Sequence, residues 1–180
     1  PECYQHGLFR LSCKRKSPNA INMDFFDYPV NEKFETIIGN PPYVRYQDIL
    51  PNTKNKLHSQ LFDERSNLYL FFIEKCVQHL TDSGELIFIT PRDFLKATSS
   101  IRLNAFLYEQ GTITDVIDLG DKKIFQGFSP NCIIFRFEKG NFSRITNGTH
   151  IFSYINGQLF FTKQSYPLLF NAIFKVKVGA

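Results

Sequence analysis

The amino-acid sequence predicts an α/β fold built on a mainly parallel sheet with one antiparallel member. Three observations carry that expectation. Between about residues 34 and 119, short apolar runs rich in β-branched residues alternate with helical patterns. A further strand at 131–138 follows the last of them with no helix between, which implies an antiparallel pair. The run Phe34-Glu35-Thr36-Ile37-Ile38 stops at Gly39 and opens into Asn40-Pro41-Pro42-Tyr43. That is a rigid corner at the carboxyl end of a strand, where open α/β sheets hold their ligands.

Taken in order, residues 1–18 are polar, and Lys14-Arg15-Lys16 is their one tight basic cluster, read as a solvated surface. Ala20-Ile21-Asn22-Met23 fits a short strand leading into Asp24-Phe25-Phe26, which Asp27-Tyr28-Pro29 breaks. The strand at 34–38 follows, then the corner. Residues 44–64 form a long polar connection, of a length usually reserved for function or mobility. From Asn67 to Leu80 the spacing predicts a helix with Leu70, Ile73, Val77 and Leu80 on one stripe, widened by Phe71 and Cys76. Asp82-Ser83-Gly84 is expected to end that segment, and 85–90 to be a strand stopped by Pro91. A second helix is expected over 100–110, burying Ile101, Ala105 and Leu107 or Tyr108, with Gly111 as its C-terminal stop. Strands at 113–119 and 131–138 flank a loop at 120–130. Asn156-Gly157 marks a hairpin within 149–163, and 165–174 suits a short helix.

The bulk properties narrow the setting. At 180 residues, 43% hydrophobic and 21% charged, the chain suits one globular domain or most of one. No apolar run approaches the roughly 20 residues of a membrane span, and Pro1-Glu2-Cys3-Tyr4 has no leader-like plan. Cys3, Cys13, Cys76 and Cys132 show neither C-x-x-C spacing nor an accompanying His pair, so no metal is expected. Cys76 and Cys132, among apolar neighbours, read as core residues, and a reducing, cytoplasmic setting fits. The net charge of +4 permits a polyanionic partner without demanding one. The 20 phenylalanines are mostly core, with a few available to stack on bases.

The corner offers specific chemistry. The exocyclic amine of a nucleobase is a poor nucleophile because its lone pair is delocalised into the ring. Two acceptors holding its two hydrogens favour a pyramidal nitrogen and accommodate developing positive charge. The Asn40 side-chain oxygen and the Pro41 carbonyl can be those acceptors, Pro42 holds the turn rigid, and Tyr43 presents a flat face to the base.

Asn40-Pro41-Pro42-Tyr43 after a strand resembles the catalytic signature of S-adenosylmethionine-dependent adenine-N6 DNA methyltransferases. The nearest resemblance is to the γ class, which includes the TaqI enzyme and the restriction–modification fusions. Asp24-Phe25, 16 positions before Asn40, is similar to the acidic site that holds the cofactor's adenine amino group. Asn67 to Leu80 resembles the helix after the catalytic loop, and Gly84 to Leu95 (GELIFITPRDFL) the next strand with its proline-containing exit. Phe125 to Phe137 (FQGFSPNCIIFRF) resembles the family's hairpin with an aromatic tip. There Phe125 would cover the flipped base opposite Tyr43, with Phe128 as the alternate.

The resemblance spans roughly residues 20–140 and implies a partial Rossmann-like methyltransferase sheet. It also implies S-adenosylmethionine as cofactor, with Asp24, Phe25 and Asn40 on its side, and double-stranded DNA as partner. Arg45, Arg92 and Lys96 are phosphate candidates, and Lys122-Lys123 better ones. Residues 1–148 would form a partial catalytic domain, and 149–180 a hairpin and helix leading toward a target-recognition domain. None of the ten glycines forms Gly-x-Gly, and nothing before Asp24 offers a strand–glycine–helix unit. In the family's sheet two further strands lie between the one ending at Asp24 and the one ending at Asn40. A fragment, a split-gene half or a degenerate copy is therefore expected, with an exposed edge on the strand at 34–38. Other readings share the tetrapeptide: an amino methyltransferase of ribosomal RNA or of a protein glutamine, or a non-catalytic remnant or subunit. TPRDFL and the phenylalanine-tipped hairpin tell against the RNA and protein substrates.

Overall fold

The computed structural model describes residues 21–59, 61, 66–120 and 131–163. Its elements are β1 (Phe34–Gly39), a short helix α1 (Pro51–Lys54), α2 (Leu68–His79), β2 (Leu80–Pro91), α3 (Ile101–Gln110), β3 (Gly111–Asp118), β4 (Cys132–Lys139), β5 (Ile145–Thr146), β6 (His150–Ile155) and β7 (Gln158–Thr162). The main sheet has the order β1-β2-β4-β3. β1 pairs parallel to β2, and β4 runs antiparallel to both β2 and β3, so three strands share one direction. A second sheet, β5-β6-β7, is antiparallel.

Alternation along the strands sorts the main sheet into two faces. One buries Leu86, Phe88, Ile113, Ile133, Phe135 and Phe137 against Leu70, Ile73 and Val77 of α2 and Leu103 and Leu107 of α3. Phe152 and Leu159 of the small sheet complete the same core. Each such side chain contributes about 1.5–3 kcal/mol on burial. The opposite face carries Ile38, which lies across from Ile87, and Ile89, which lies across from Ile134 and then Ile117. Ile38 is 73% exposed and Ile117 57% exposed. Among the described residues β1 has a neighbouring strand on one side only.

Several boundaries differ from expectation. Residues 21–24 form no strand; Asp24 instead caps a 3-10 turn over Phe25–Asp27, its carboxylate accepting the Phe26 N–H. β2 begins at Leu80, and Asp82-Ser83-Gly84 lies inside it rather than ending the helical segment. Gly84 is needed there for space. A Cβ would come within 2.9 Å of the Phe34 carbonyl, where β1 and β2 shift register. Gly111 follows α3 directly, yet its φ of 172° is extended backbone open to any residue. Its requirement is steric, since a Cβ would lie 2.1 Å from the Glu138 carbonyl across the sheet. On α3 the buried positions are Leu103, Asn104 and Leu107, while Ile101 is 39% exposed. The Asn156-Gly157 hairpin forms as expected, with φ of 50° and 83°. Cys76 and Cys132 are free and buried, also as expected. The expected helix at 165–174 lies outside the described residues.

Candidate active site

The corner sits one residue past the end of β1, and three tethers fix it. The Tyr43 hydroxyl donates to the Ile89 carbonyl near the end of β2 at 2.7 Å. The Leu68 N–H donates to the Val44 carbonyl at 2.9 Å, and the Tyr46 N–H to the Asn67 side-chain oxygen at 3.3 Å. Asn67 therefore does not cap α2 with its side chain; its amide holds the chain leaving the corner. Burial, then the neighbouring Cys132 and Tyr69, drives the Tyr43 phenol well above its ordinary range, so it remains a neutral donor. Its ring, half-buried, meets Tyr69 edge-on at 6.2 Å.

Against that rigidity, the two proposed acceptors are free. Asn40 is exposed, and among the described residues no group hydrogen-bonds its side chain. Among the described residues no donor reaches the Pro41 carbonyl either. The exposed Asn40 amide and the adjacent Pro41 carbonyl, on a backbone restricted by two prolines, are two neighbouring hydrogen-bond acceptors.

Asp24 and Phe25 lie on a neighbouring element joined to the corner through a shared satellite core. Ile49, Leu57, Leu68 and Phe71 form it, and Phe26, Val44, Tyr46 and Phe72 pack around it. Phe25 stacks on Phe72 at 4.9 Å. Lys56 reaches back from the connection after the corner to bridge Asp24 and Asp27, at 3.2 Å to Asp24. Both carboxylates raise the Lys56 pKa. Lys75 donates to the Phe26 carbonyl at 2.7 Å and lies 5.2 Å above the Phe25 ring. Its ammonium pKa is lowered by burial, with Asp24 and Asp27 opposing. Asp24 thus presents a partly exposed carboxylate already holding an N–H donor, the chemistry an adenine amino group requires. The donor set fits the adenine end of an S-adenosylmethionine molecule.

The exits of the strands are also tied. Arg92, an expected phosphate contact, pairs with Asp118 at 2.6 Å, and its N–H donates to the Asn131 carbonyl. Arg45 pairs with Asp48 at 2.9 Å, and Lys96 lies 5.4 Å from the Phe160 ring centre. Phe125, Phe128 and Lys122-Lys123 lie outside the described residues. Among the described residues, no three His, Cys, Asp or Glu side chains converge as metal ligands. Lys56, Asn67 and Lys75 carry no signal in the sequence: their partners are 21 to 50 positions away, and nothing local marks them.

A parallel strand that runs into Asn-Pro-Pro-Tyr, with an antiparallel fourth strand in the same sheet, places the chain among methyltransferase-like α/β folds. More particularly, residues 9–125 match the model of the Eco57I restriction-modification methylase family, and the chain belongs to that family. It is 31% identical over 128 residues to the type II methyltransferase M.HincII of Haemophilus influenzae, covering 68% of this chain and 26% of that protein. It is 33% identical over 154 residues to the type II methyltransferase M.TthHB8I of Thermus thermophilus, covering 75% and 35%. In three dimensions it is similar to a methyltransferase subunit of a type I restriction-modification system from Streptococcus thermophilus. There the TM-score is 0.53 at 21% identity, over 78% of this chain and 32% of that one. The chain therefore spans between a quarter and about a third of the length of these relatives. No described helix is long and apolar enough to cross a membrane.

Proposed function

We propose that this chain carries the target-amine half of a site-specific DNA adenine-N6 methyltransferase of a cytoplasmic restriction-modification system. The observation that carries the reading is the pair of free acceptors on a fixed corner, the Asn40 amide and the Pro41 carbonyl. An adenine rotated out of duplex DNA, at a cost of a few kcal/mol of unstacking, would give its two amino hydrogens to them. Tyr43 supports the base from one side. Phe125 is proposed opposite, with Phe128 as the alternate. Asp24, with Phe25 beside it, would hold the adenine amino group of S-adenosylmethionine, which supplies a methyl group on a sulfonium. Because both acceptors are preset, positioning supplies most of the acceleration.

The test is Asn40→Ala in the complete enzyme. Methyl transfer to adenine should fall by about 100-fold or more, as for loss of one preorganised transition-state partner. Cofactor affinity measured by calorimetry should hold. Undiminished transfer would overturn the reading. Transfer to RNA or to a protein glutamine, and not to adenine in DNA, would replace it with the alternative substrate class.

A second reading is favoured by one observation, the free edge of β1 with Ile38 beside it at 73% exposure. A further strand supplied by a partner polypeptide or by the other half of a split enzyme would pair there, and residues 149–180 would lead toward a recognition domain or subunit. Micromolar S-adenosylmethionine binding by the 180-residue chain alone would refute the need for such a half.

A further inference from the structure

We propose that the connection between β1 and α2 carries a docking site for a phosphodiester of a polynucleotide, centred on Lys54. Lys54, Tyr46, Asn55, Leu57 and His58 line a cleft of about 480 Å3. It opens three residues beyond Tyr43, so it flanks the corner that would receive the base. This inference rests on the reading of duplex DNA as substrate and adds to it a residue-level anchor.

One side of the cleft is anchored: Leu57 is buried at 9% exposure in the satellite core beside Ile49, and the Tyr46 N–H is held by Asn67, while Asn55 and His58 are exposed. Charge then singles out Lys54. Residues 44–59 carry three cations, Arg45, Lys54 and Lys56, against one carboxylate, Asp48. Arg45 is paired with Asp48, and Lys56 is spanned by Asp24 and Asp27. Lys54 has no carboxylate partner among the described residues; its ammonium lies 4.3 Å above the centre of the Tyr46 ring. That contact fixes the position of the cation without neutralising it. The Asn55 amide, the Tyr46 hydroxyl and the His58 ring add hydrogen-bonding groups around it, and Leu57 lines the same cleft with an apolar surface. An ammonium with no carboxylate partner among the described residues, beside hydroxyl, amide and imidazole groups, is the chemistry of a phosphate contact. An acidic peptide would also satisfy the charge, but its location beside a corner suited to a nucleobase favours the polynucleotide.

The test measures binding of a short fluorescent DNA duplex to the full chain by anisotropy across a salt series. Lys54→Gln is compared with Arg102→Gln, which removes the same charge from an exposed position on α3. Because Lys54→Gln deletes a single phosphate partner, the slope of log K against log salt should decrease in magnitude by about 0.9 and affinity fall about fivefold. Arg102→Gln should leave the slope unchanged. Tyr46→Phe, which keeps the ring, should weaken binding with no change in slope. Equal effects of Lys54→Gln and Arg102→Gln would overturn the site, as would a wild-type chain that binds no duplex. Competition by polyglutamate that disappears in Lys54→Gln would assign the cleft to an acidic protein instead. Competition by inorganic phosphate at matched ionic strength, likewise absent in that variant, would reduce it to a free-anion site. A normal Lys54 salt effect with no adenine methylation by the complete enzyme would overturn the methyl-transfer reading and leave this site standing.

Discussion

Replacing Tyr43 by phenylalanine separates the two tasks of that side chain. Phenylalanine keeps the ring and its edge contact with Tyr69 but removes the hydroxyl that donates to the Ile89 carbonyl at 2.7 Å. A hydrogen bond of this kind contributes about 0.5–1.5 kcal/mol net. The expected loss is therefore about 1 kcal/mol, a fall in melting temperature of about 2–4 °C for a chain of this size. Tyr43→Ala also removes a ring packed against the main core, and since that ring is half-buried the total should reach about 3 kcal/mol. Urea denaturation of the chain gives both numbers. In the complete enzyme, Tyr43→Phe should retain methyl transfer within about tenfold, because the base platform survives, and Tyr43→Ala should lose much more. Equal stability losses for the two variants would show that the ring adds nothing to the hold on the corner. No loss on Tyr43→Phe would refute the tether to β2.

Two further substitutions test the frame around the site. His79 is buried at 1% exposure, its Nδ1 bonded to the Glu32 carbonyl at 2.8 Å and its Nε2 without a partner among the described residues. Burial lowers its pKa, Lys75 and Lys33 assist, and the Glu32 carbonyl and carboxylate oppose. A depressed folded-state pKa means that the unfolded chain binds more protons as pH falls through the ordinary histidine range, about 6.5. Stability should thus be full above that range and decline below it, a slope that His79→Gln should flatten in melts at pH 5 and pH 7.5. Asn104, fully buried, directs its Nδ2 at the carbonyls of Phe94, Leu95 and Gly157 at 3.1, 3.2 and 2.9 Å. Asn104→Asp would set a carboxyl against three carbonyl oxygens, raising its pKa in the folded state. Its destabilisation, about 2 kcal/mol or more near pH 7, should shrink as pH falls toward about 4, below which the introduced group is protonated in both states. A pH-independent loss would show that the amide is not facing those carbonyls.

What can be read from the sequence is what repeats at short range. The apolar stripe of α2 is periodic, and Leu70, Ile73 and Val77 are buried as the period requires. Asn156-Gly157 encodes its own turn, and two adjacent prolines leave the corner few conformations. Position-specific space is not legible. Gly84 and Gly111 look like breaks between elements, yet both lie in strands because another backbone passes where their side chains would be. The buried side of α3 differs from the expected one because its central residue is Asn104. A polar side chain at that position reads as solvent-facing until the three carbonyls around it are known. For the site, the free acceptors at 40 and 41 follow from local chemistry. The 32-residue separation between Lys56 and Asp24 hides their pairing.

That pairing changes how the two halves of the site relate. Lys56 lies on the same connection as the Lys54 cleft, and Asp24 is the group proposed to meet the cofactor's adenine. The segment leaving the corner is thus joined at Tyr43 to β2, at Val44 and Tyr46 to the start of α2, and at Lys56 to the cofactor side. The first three joints are main-chain or partly buried hydrogen bonds. The last is a solvent-exposed ion pair, the kind most easily exchanged for another donor. An adenine amino group arriving at Asp24 would meet a carboxylate already paired with the Lys56 ammonium. It could share or replace the ammonium without disturbing the corner. Fixed joints around the corner and an exchangeable contact at Asp24 let the backbone at Asn40 and Pro41 keep its place whether or not Asp24 is engaged.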